Sequence, residues 1–177
     1  MREKIALWFF VLCAFGSLYA KEPTVYFTGE TDLAKKCIEY IQRESTSIRI
    51  ASHRLSNVQV IMALLQAHKR GVFVEVVVDA ETVTKHSRLQ LLAAEGVAVS
   101  IWKAGNKKKD HMHHSFCVFG KELTWVGSYS FSLQKKFSHK ENAVVLEDET
   151  MAQSFLKEFD AVKMSCPLSF SEYLRDL

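Results

Sequence analysis

Apolar and polar residues follow two alternating periods along the first half of the chain. Short apolar or alternating runs predict strands, and apolar residues that recur every three or four positions predict helices. The predicted strands are Val25 to Thr28, Ser47 to Ser52, Phe73 to Val78 and Val97 to Trp102. The predicted helices are Asp32 to Glu44, a segment capped by Asn57 and ended by Gly71, and Lys85 to Glu95. This alternating order predicts an α/β layered domain.

The second half of the chain is richer in strands. His113 to Phe119 and Leu123 to Val126 are apolar runs joined by the turn Gly120-Lys121-Glu122, which predicts a hairpin. Asn142 to Leu146 is a further predicted strand, and Thr150 to Val162 is a closing helix. The predicted fold class is therefore α/β, with a mixed central β-sheet flanked by helices.

The first twenty residues differ from the rest of the chain, which has 177 residues and is 48% hydrophobic. Arg2 and Lys4 precede the apolar run Ile5 to Leu18, and Leu18-Tyr19-Ala20 offers a cleavage site. We expect a signal peptide over residues 1–20 and a single domain over 21–177, in an exported, secreted or periplasmic protein. The alternative is an uncleaved anchor through residues 5–18, although this run is shorter than the roughly 20 apolar residues that span a bilayer.

Cysteine and aromatic residues add little to the functional picture. Cys117 alternates within an apolar strand and is predicted to lie in the core, and an oxidising compartment would allow a disulfide between Cys37 and Cys166. Trp125 and Phe131 either stack on bases or insert into lipid, or they pack in the core, which is the commoner fate of such side chains.

Positive charge is concentrated in one part of the chain. Between Lys103 and Lys140 there are eight lysines and only two acidic residues, together with four histidines, whereas the net charge of the whole chain is only +3. Such a region predicts an anionic ligand. For Lys107, Lys108 and Lys109 taken alone, a solvated loop is an equally good interpretation.

The candidate chemistry lies between Asp110 and Ser132, in the sequence DHMHHSFCVFGKELTWVGSYSFS. The spacing resembles the signature of the phospholipase D superfamily: His-x-Lys, four residues, Asp, six residues, Gly-Ser-x-Asn, and a downstream Glu-Asn. The blocks MALLQAHKRGVFVEVVVD, LLAAEGVAVSIW and HKENAVVLED resemble the single-motif branch, which includes mitochondrial cardiolipin hydrolases and small bacterial endonucleases. The resemblance covers about Thr24 to Val162 and implies a phospholipase D-like layered domain.

Four positions match this signature and three depart from it. His113, Gly127, Ser128 and Glu141 stand where the family has the same residues. Ser115 replaces the motif lysine, Gly120 the aspartate and Ser130 the asparagine.

The resemblance implies a covalent mechanism. The motif histidine, His113 here, attacks phosphorus to form a phosphohistidine, and the equivalent histidine of a second copy protonates the leaving oxygen and later activates water. A homodimer with its active site at the interface is therefore expected. Glu141 would orient the imidazole, and Ser128 would belong to the same catalytic set. Outside the family pattern, Ser128 is a turn residue and Glu141 pairs with His139 or Lys140 at the surface.

The departures predict weak catalysis. Loss of one preorganised donor typically reduces the rate about 10²–10³-fold. Substitutes for the lost donors are predicted to bind the substrate phosphate; they are Ser115, Ser130, His114, Lys107, Lys108 and Lys109, with Lys135 and Lys136 as further lysines in reach. On a strand, His111 and His113 would share a face that suits a metal ion, but no third ligand is suitably spaced. No metal or cofactor is therefore predicted.

Two functions remain open at this point. The first is an attenuated phosphodiesterase that acts on phospholipid head groups or on nucleic acid. The second is an inactive relative that binds phosphate-containing ligands, or that completes a mixed site by pairing with an intact relative as a heterodimer.

Overall fold

The computed structural model describes residues 21–105, 110–132 and 139–175. The predicted signal peptide lies outside these residues, and so do five lysines of the basic region, Lys107, Lys108, Lys109, Lys135 and Lys136. None of the helices in the described ranges is long and apolar enough to cross a membrane.

Strands and helices alternate through the described residues and then give way to a run of three strands. The strands are β1 (Thr24–Phe27), β2 (Ser47–Ser52), β3 (Phe73–Asp79), β4 (Ala98–Trp102), β5 (Ser115–Phe119), β6 (Leu123–Gly127), β7 (Asn142–Glu147) and β8 (Leu168–Ser169). The α-helices are α1 (Leu33–Arg43), α2 (Val58–Lys69), α3 (Leu89–Ala94), α4 (Glu149–Met164) and α5 (Phe170–Arg175). A 3₁₀ helix covers Ala80–Thr82.

All eight strands form one mixed sheet in the order β1-β7-β6-β5-β2-β3-β4-β8. Strands β2, β3 and β4 run parallel, because α2 and α3 return the chain to the start of the next strand. The other pairings are antiparallel, and β5 and β6 form the expected hairpin. The predicted α/β fold with a mixed central sheet is confirmed.

Helices cover both faces of the sheet. Buried side chains of α1, α2, α3 and α5 pack against one face, where Ile48 and Ile50 of β2 point. Phe159 of α4 packs against the other face, together with Ala51 of β2 and Phe116 of β5. Full burial of one such large apolar side chain contributes about 1.5–3 kcal/mol. The alternation along β2 explains why a single strand can serve two cores.

Local signals explain where the helices begin. Asn57 caps α2, since its Oδ1 accepts hydrogen bonds from the backbone N–H groups of Gln59 at 2.9 Å and Val60 at 3.4 Å. The helix predicted from Lys85 begins only at Leu89, because Ser87 Oγ accepts a hydrogen bond from Thr84 N and holds a turn there. Strand β5 begins at Ser115 and not at His113, so the prediction of strand structure for residues 113–114 is wrong.

The buried residues correct one prediction and confirm two others. Cys37 lies in the core under α1, whereas Cys166 packs on the opposite face of the sheet beside α4, so the disulfide between them is not formed. Cys117 is fully buried, as predicted, and burial raises the pKa of its thiol well above the usual value. Trp125 and Phe131 are also fully buried, which makes them core residues and not contacts for bases or lipid.

Candidate active site

The candidate site lies at one edge of the sheet, which we call the histidine edge. The parallel strands end there at Ser52, Asp79 and Trp102. Antiparallel pairing places the first residue of β5 at the same edge, because Ser115 pairs with Ser52. The same pairing rule brings the end of β6 there, because Val126 pairs with Phe116 near the start of β5, and Gly127 in turn pairs with Ala143 near the start of β7. Residues far apart in sequence therefore meet.

His113 lies in the loop before β5 with its side chain exposed. Two other imidazoles surround it: ring centroids lie 5.0 Å away for His53 and 5.7 Å away for His111. The backbone N–H of His53 donates to the carbonyl of His114 at 2.8 Å, which joins the end of β2 to this loop. His113 is thus held on a short segment between two other histidines.

An open cavity of about 440 Å³ lies beside this histidine group. Its lining includes His111, His113 and His114, together with Trp102 and Glu158. Nε2 of His114 lies 2.9 Å from Oε1 of Glu158, which fixes the His114 ring against α4. A phosphate group bound here would contact imidazoles and meet one carboxylate.

Ser115 and Ser130, the two serines that replace motif residues of the family, both form hydrogen bonds within the protein. The Ser115 hydroxyl donates to the carbonyl of Tyr129, so its one proton is already used. The Ser130 hydroxyl donates to Ser132 Oγ at 3.2 Å, and its carbonyl accepts from Ser52 Oγ at 3.1 Å. Neither hydroxyl offers a free proton to a phosphate unless these bonds break.

The Gly127-Ser128 pair is fixed by reciprocal hydrogen bonds with Asn142. Ser128 N donates to Asn142 Oδ1 at 3.1 Å, and Asn142 N donates to Ser128 Oγ at 3.0 Å. A Cβ on Gly127 would lie 2.4 Å from the carbonyl oxygen of Asn142, so only glycine fits this crossing. The hydroxyl proton of Ser128 has no acceptor among the described residues, which leaves it available to a ligand.

Glu141 lies in a second open cavity, of about 360 Å³, with Ser128 and Lys140. Its backbone is held by Thr28, which donates from N to the Glu141 carbonyl and accepts at Oγ1 from Glu141 N, both at 2.9 Å. Oε2 of Glu141 is buried and has no hydrogen-bond partner within the described ranges. Burial raises the pKa of the neighbouring Tyr129 phenol, and the Glu141 carboxylate adds to that shift.

The structure does not pair Glu141 with any of the partners that sequence considerations suggested. Across residues 21–105, 110–132 and 139–175, no hydrogen bond joins Glu141 to His113, and no ion pair joins it to His139 or Lys140. His113 and His114 line one cavity, whereas Ser128 and Glu141 line the other.

Gly120, at the position of the family's motif aspartate, lies at the opposite edge of the sheet. Its N–H donates to the carbonyl of Ser47 at 2.8 Å, at the start of β2. His114 and the five residues of β5 lie between it and His113, and at about 3.3 Å per residue β5 alone spans roughly 16 Å. Gly120 therefore lies away from the histidine group, whereas the other two departures, Ser115 and Ser130, lie at the histidine edge.

Three residues at the histidine edge escaped the sequence analysis. His53 follows β2, Asp79 ends β3, and Glu81 lies in the 3₁₀ helix. Asp79 is buried and accepts hydrogen bonds from Met112 N at 2.6 Å and Glu81 N at 2.8 Å. One signal would have found them, since polar residues that directly follow parallel strands collect at the carboxyl edge, where α/β sheets bind ligands.

Comparison with known proteins agrees with this architecture. The family model described as "Cardiolipin synthase, PLD-like domain" matches residues 37–163. A mitochondrial cardiolipin hydrolase of Danio rerio is 30% identical over 125 residues, which are 70% of this chain and 54% of the relative. A phospholipase D of Rickettsia typhi is 24% identical over 145 residues, which are 81% of this chain and 69% of the relative. The chain spans about half the length of the cardiolipin hydrolase.

One solved structure illustrates the shared fold. The phospholipase D family member Nuc from Salmonella typhimurium superposes with a TM-score of 0.73 at 22% identity. The match covers 84% of this chain and 99% of Nuc. At this identity the likeness concerns the fold.

Proposed function

Because the chain belongs to the family of phospholipase D-like domains, we propose that it is a phosphodiesterase whose nucleophile is His113. The observation that carries the proposal is the exposed His113 side chain at the mouth of a 440 Å³ cavity, at the carboxyl edge of a mixed sheet. The intact Gly127-Ser128 pair supports it, because its hydrogen bonds with Asn142 leave a serine proton available for a ligand.

The proposed reaction has two steps. An imidazole nitrogen of His113 forms a bond to phosphorus as the bond from phosphorus to the leaving oxygen breaks, and a second imidazole donates a proton to that oxygen. Water then attacks phosphorus, gives its proton to the second imidazole and releases His113. In a homodimer the second imidazole is the His113 of the other copy, which the exposure of this side chain permits.

The remaining members of the site have supporting roles in this proposal. Ser128 and Glu141 belong to the catalytic set, and Glu141 orients an imidazole once substrate or a second copy closes the site. His114 binds phosphate oxygens together with Lys107, Lys108 and Lys109, and Ser130 joins them once its hydroxyl exchanges the hydrogen bond to Ser132 for one to phosphate. Residues 1–20 export the chain, with residues 21–177 as the acting domain.

Activity is attenuated in this proposal because of Ser115. A serine has no charge to balance the phosphate oxygens, and this hydroxyl already donates to Tyr129. The same observation favours a second candidate function, in which the chain binds phosphate-containing ligands without cleaving them or pairs with an intact relative. The substrate class in either case is a phosphodiester of a phospholipid or a nucleic acid.

The test is hydrolysis of bis(p-nitrophenyl) phosphate by the full chain. We expect His113→Ala to reduce the rate by at least about 10³-fold, because the nucleophile is lost. His68→Ala is the matched control, since His68 is a histidine on α2 whose ring contacts the Glu95 carbonyl away from the site. Measurable hydrolysis that is equally fast in the native chain and in His113→Ala would contradict the proposal. An inactive native chain would favour the second function.

Salt dependence then separates the two substrate classes. Nucleic-acid binding weakens steeply as salt rises, because protein binding releases cations from the phosphate backbone and this release is less favourable at high salt. Binding to cardiolipin vesicles that persists at high salt would instead assign a lipid substrate.

A further inference from the structure

The ends of β2 and β3 bring nitrogen and oxygen donors together beside His113. One ligand atom from each of His53, Asp79 and Glu81 lies within 4.8 Å of the others. A fourth donor is Nδ1 of His111, which lies 3.2 Å from Oε2 of Glu81 and 3.9 Å from Oδ1 of Asp79. We propose that these four residues bind a divalent transition-metal ion of the zinc class.

The spacing of the four donors suits a small tetrahedral ion. Metal–ligand bonds of about 2.0 Å place neighbouring ligands of a tetrahedron about 3.3 Å apart. The contact between His111 and Glu81 already has this length, whereas the contacts among His53, Asp79 and Glu81, which lie within 4.8 Å, need side-chain shifts of up to about 1.5 Å. Glu81 can make such a shift, because 60% of its side chain is exposed. The His111 ring, whose centroid is 6.5 Å from that of His53, must also move toward His53.

Asp79 is the fixed point of the site. Only 3% of its side chain is exposed, and its two oxygens accept hydrogen bonds from Met112 N and Glu81 N. These bonds orient the carboxylate and leave each oxygen a second lone pair. Metal-binding carboxylates are typically held in this way by surrounding hydrogen bonds.

The simpler interpretation is an ion pair, in which a protonated His111 lies between two carboxylates. That interpretation gives no role to His53, which lies in the same cluster. Nδ1 of His53 is buried and has no hydrogen-bond partner in the described part of the chain. A buried polar atom without a partner costs stability, and coordination of a metal ion through Nδ1 would supply the missing partner.

The types of donor atom indicate which metal ions fit the site. Two imidazoles and two carboxylates match zinc and its transition-metal neighbours, whereas calcium and magnesium prefer oxygen ligands alone. The ion would lie next to His113, whose ring centroid is 5.0 Å from that of His53 and 5.7 Å from that of His111. If the proposed function holds, the ion would add positive charge beside His113, in a site that lacks the family's lysine.

The experiment is calorimetric titration of the tag-free, EDTA-dialysed full chain with zinc, in the absence of substrate. We expect one ion per chain, no binding of magnesium or calcium, and the visible spectrum of a tetrahedral site when cobalt is used. Glu81→Gln and His111→Ala should each weaken zinc binding about 100-fold or more. Glu95→Gln and His68→Ala are the matched controls, because this acid and histidine touch each other away from the site, and they should bind zinc normally.

Two results would overturn the proposal. One is zinc binding that is undetectable in the native chain, and the other is zinc binding that is unchanged in both Glu81→Gln and His111→Ala; either would leave an ion pair only. Urea unfolding of each variant shows whether it is folded. Because no substrate is present, an inactive chain that binds zinc retains the metal site, and an active chain that does not bind zinc retains the proposed function.

Discussion

The two edges of the sheet differ in how well their polar groups are hydrogen-bonded. At the edge opposite the histidines, which we call the turn edge, Glu44 Oε1 accepts hydrogen bonds from Ser45 N at 2.9 Å and Thr46 N at 2.6 Å. At the histidine edge, buried Nδ1 of His53 and Oε2 of Glu141 have no partner among the described residues. Buried polar groups are normally paired, so these two atoms cost stability at the histidine edge; Thr124 Oγ1 and Trp125 Nε1, within β6, are the other buried side-chain atoms without a partner in the described ranges. Unpaired groups of this kind are available to a ligand.

The two edges also differ in the reason for which one glycine, Gly127, is required. Gly71, Gly96 and Gly120 have φ values of 92°, 87° and 59°, a left-handed conformation that side chains disfavour. Gly127 has no such φ and is required because another strand's backbone lies against it. Gly29, beside the Glu141 cavity, also has a positive φ of 144°, so both edges use glycine in turns, and the histidine edge also uses it to bring Ser128 against Asn142.

Gly127→Ala should have the largest effect on this contrast. The added Cβ would lie 2.4 Å from the Asn142 carbonyl oxygen and 2.8 Å from Ala143 Cα, and neither backbone atom can move easily. We expect the free energy of unfolding in urea to fall by about 3 kcal/mol. Gly105→Ala is the control, because a Cβ there meets nothing within 4 Å. Equal stability of the two variants would refute the close packing described for the Gly127 crossing.

Ser115→Lys should sharpen the contrast by restoring charge to the histidine edge. We expect hydrolysis to rise about 10–100-fold, because an ammonium group stabilises charge on the phosphate oxygens better than a hydroxyl that already donates to Tyr129. Ser100→Lys is the matched control on β4, away from the histidine group. A Ser115→Lys chain that folds and hydrolyses no faster than the native chain would count against Ser115 as the source of attenuation.

Glu141→Gln should lower the hydrolysis rate without lowering the stability of the fold. The change removes the charge at a buried Oε2 that lacks a partner, so we expect the urea midpoint to stay the same or to rise, by up to about 1 kcal/mol in unfolding free energy. Hydrolysis should fall about tenfold as an orienting group is lost. Glu122→Gln, at an exposed turn residue, is the control. A marked loss of stability in Glu141→Gln would show that the carboxylate holds the fold.

Gly120→Ala should have the smallest effect, confined to the turn edge. A side chain at φ 59° is strained, and the Cβ would lie 3.2 Å from Thr46 Oγ1, so we expect stability to fall by about 1 kcal/mol. The hydrolysis rate per folded molecule should not change, because the length of β5, roughly 16 Å, separates this residue from the histidine loop. A reduced rate in a fully folded variant would mean that the motif aspartate position does affect the site.

The sequence predicted the fold well because its signals are local. The bounds of β2 and the Asn57 cap of α2 follow from residues a few positions apart, and both are confirmed. Prediction failed for β8 and α5, since the two-residue β8 forms only by pairing with β4. A strand that depends on a distant partner leaves little pattern in its own residues.

The site was predicted in part for the same reason. Spacing located His113, Gly127 and Ser128, because the motif lies within one hairpin. It missed His53 and Asp79, which meet the motif loop only through the pairing of β2 with β5 and of β2 with β3. Residues 111–114 form a loop, so the strand face considered for His111 and His113 does not exist, although their ring centroids lie 5.7 Å apart.

The most direct test of the account is to trap the covalent intermediate at the histidine edge. Chain and phosphodiester substrate would be mixed, quenched in alkali to preserve a phosphohistidine, digested and analysed by mass spectrometry, for the native sequence and for Ser115→Lys. We predict an adduct on His113 itself, in larger amount for Ser115→Lys and absent from His113→Ala. Turnover with His113 unmodified in both chains, at a rate that His113→Ala retains, would contradict the claim that this residue is the nucleophile.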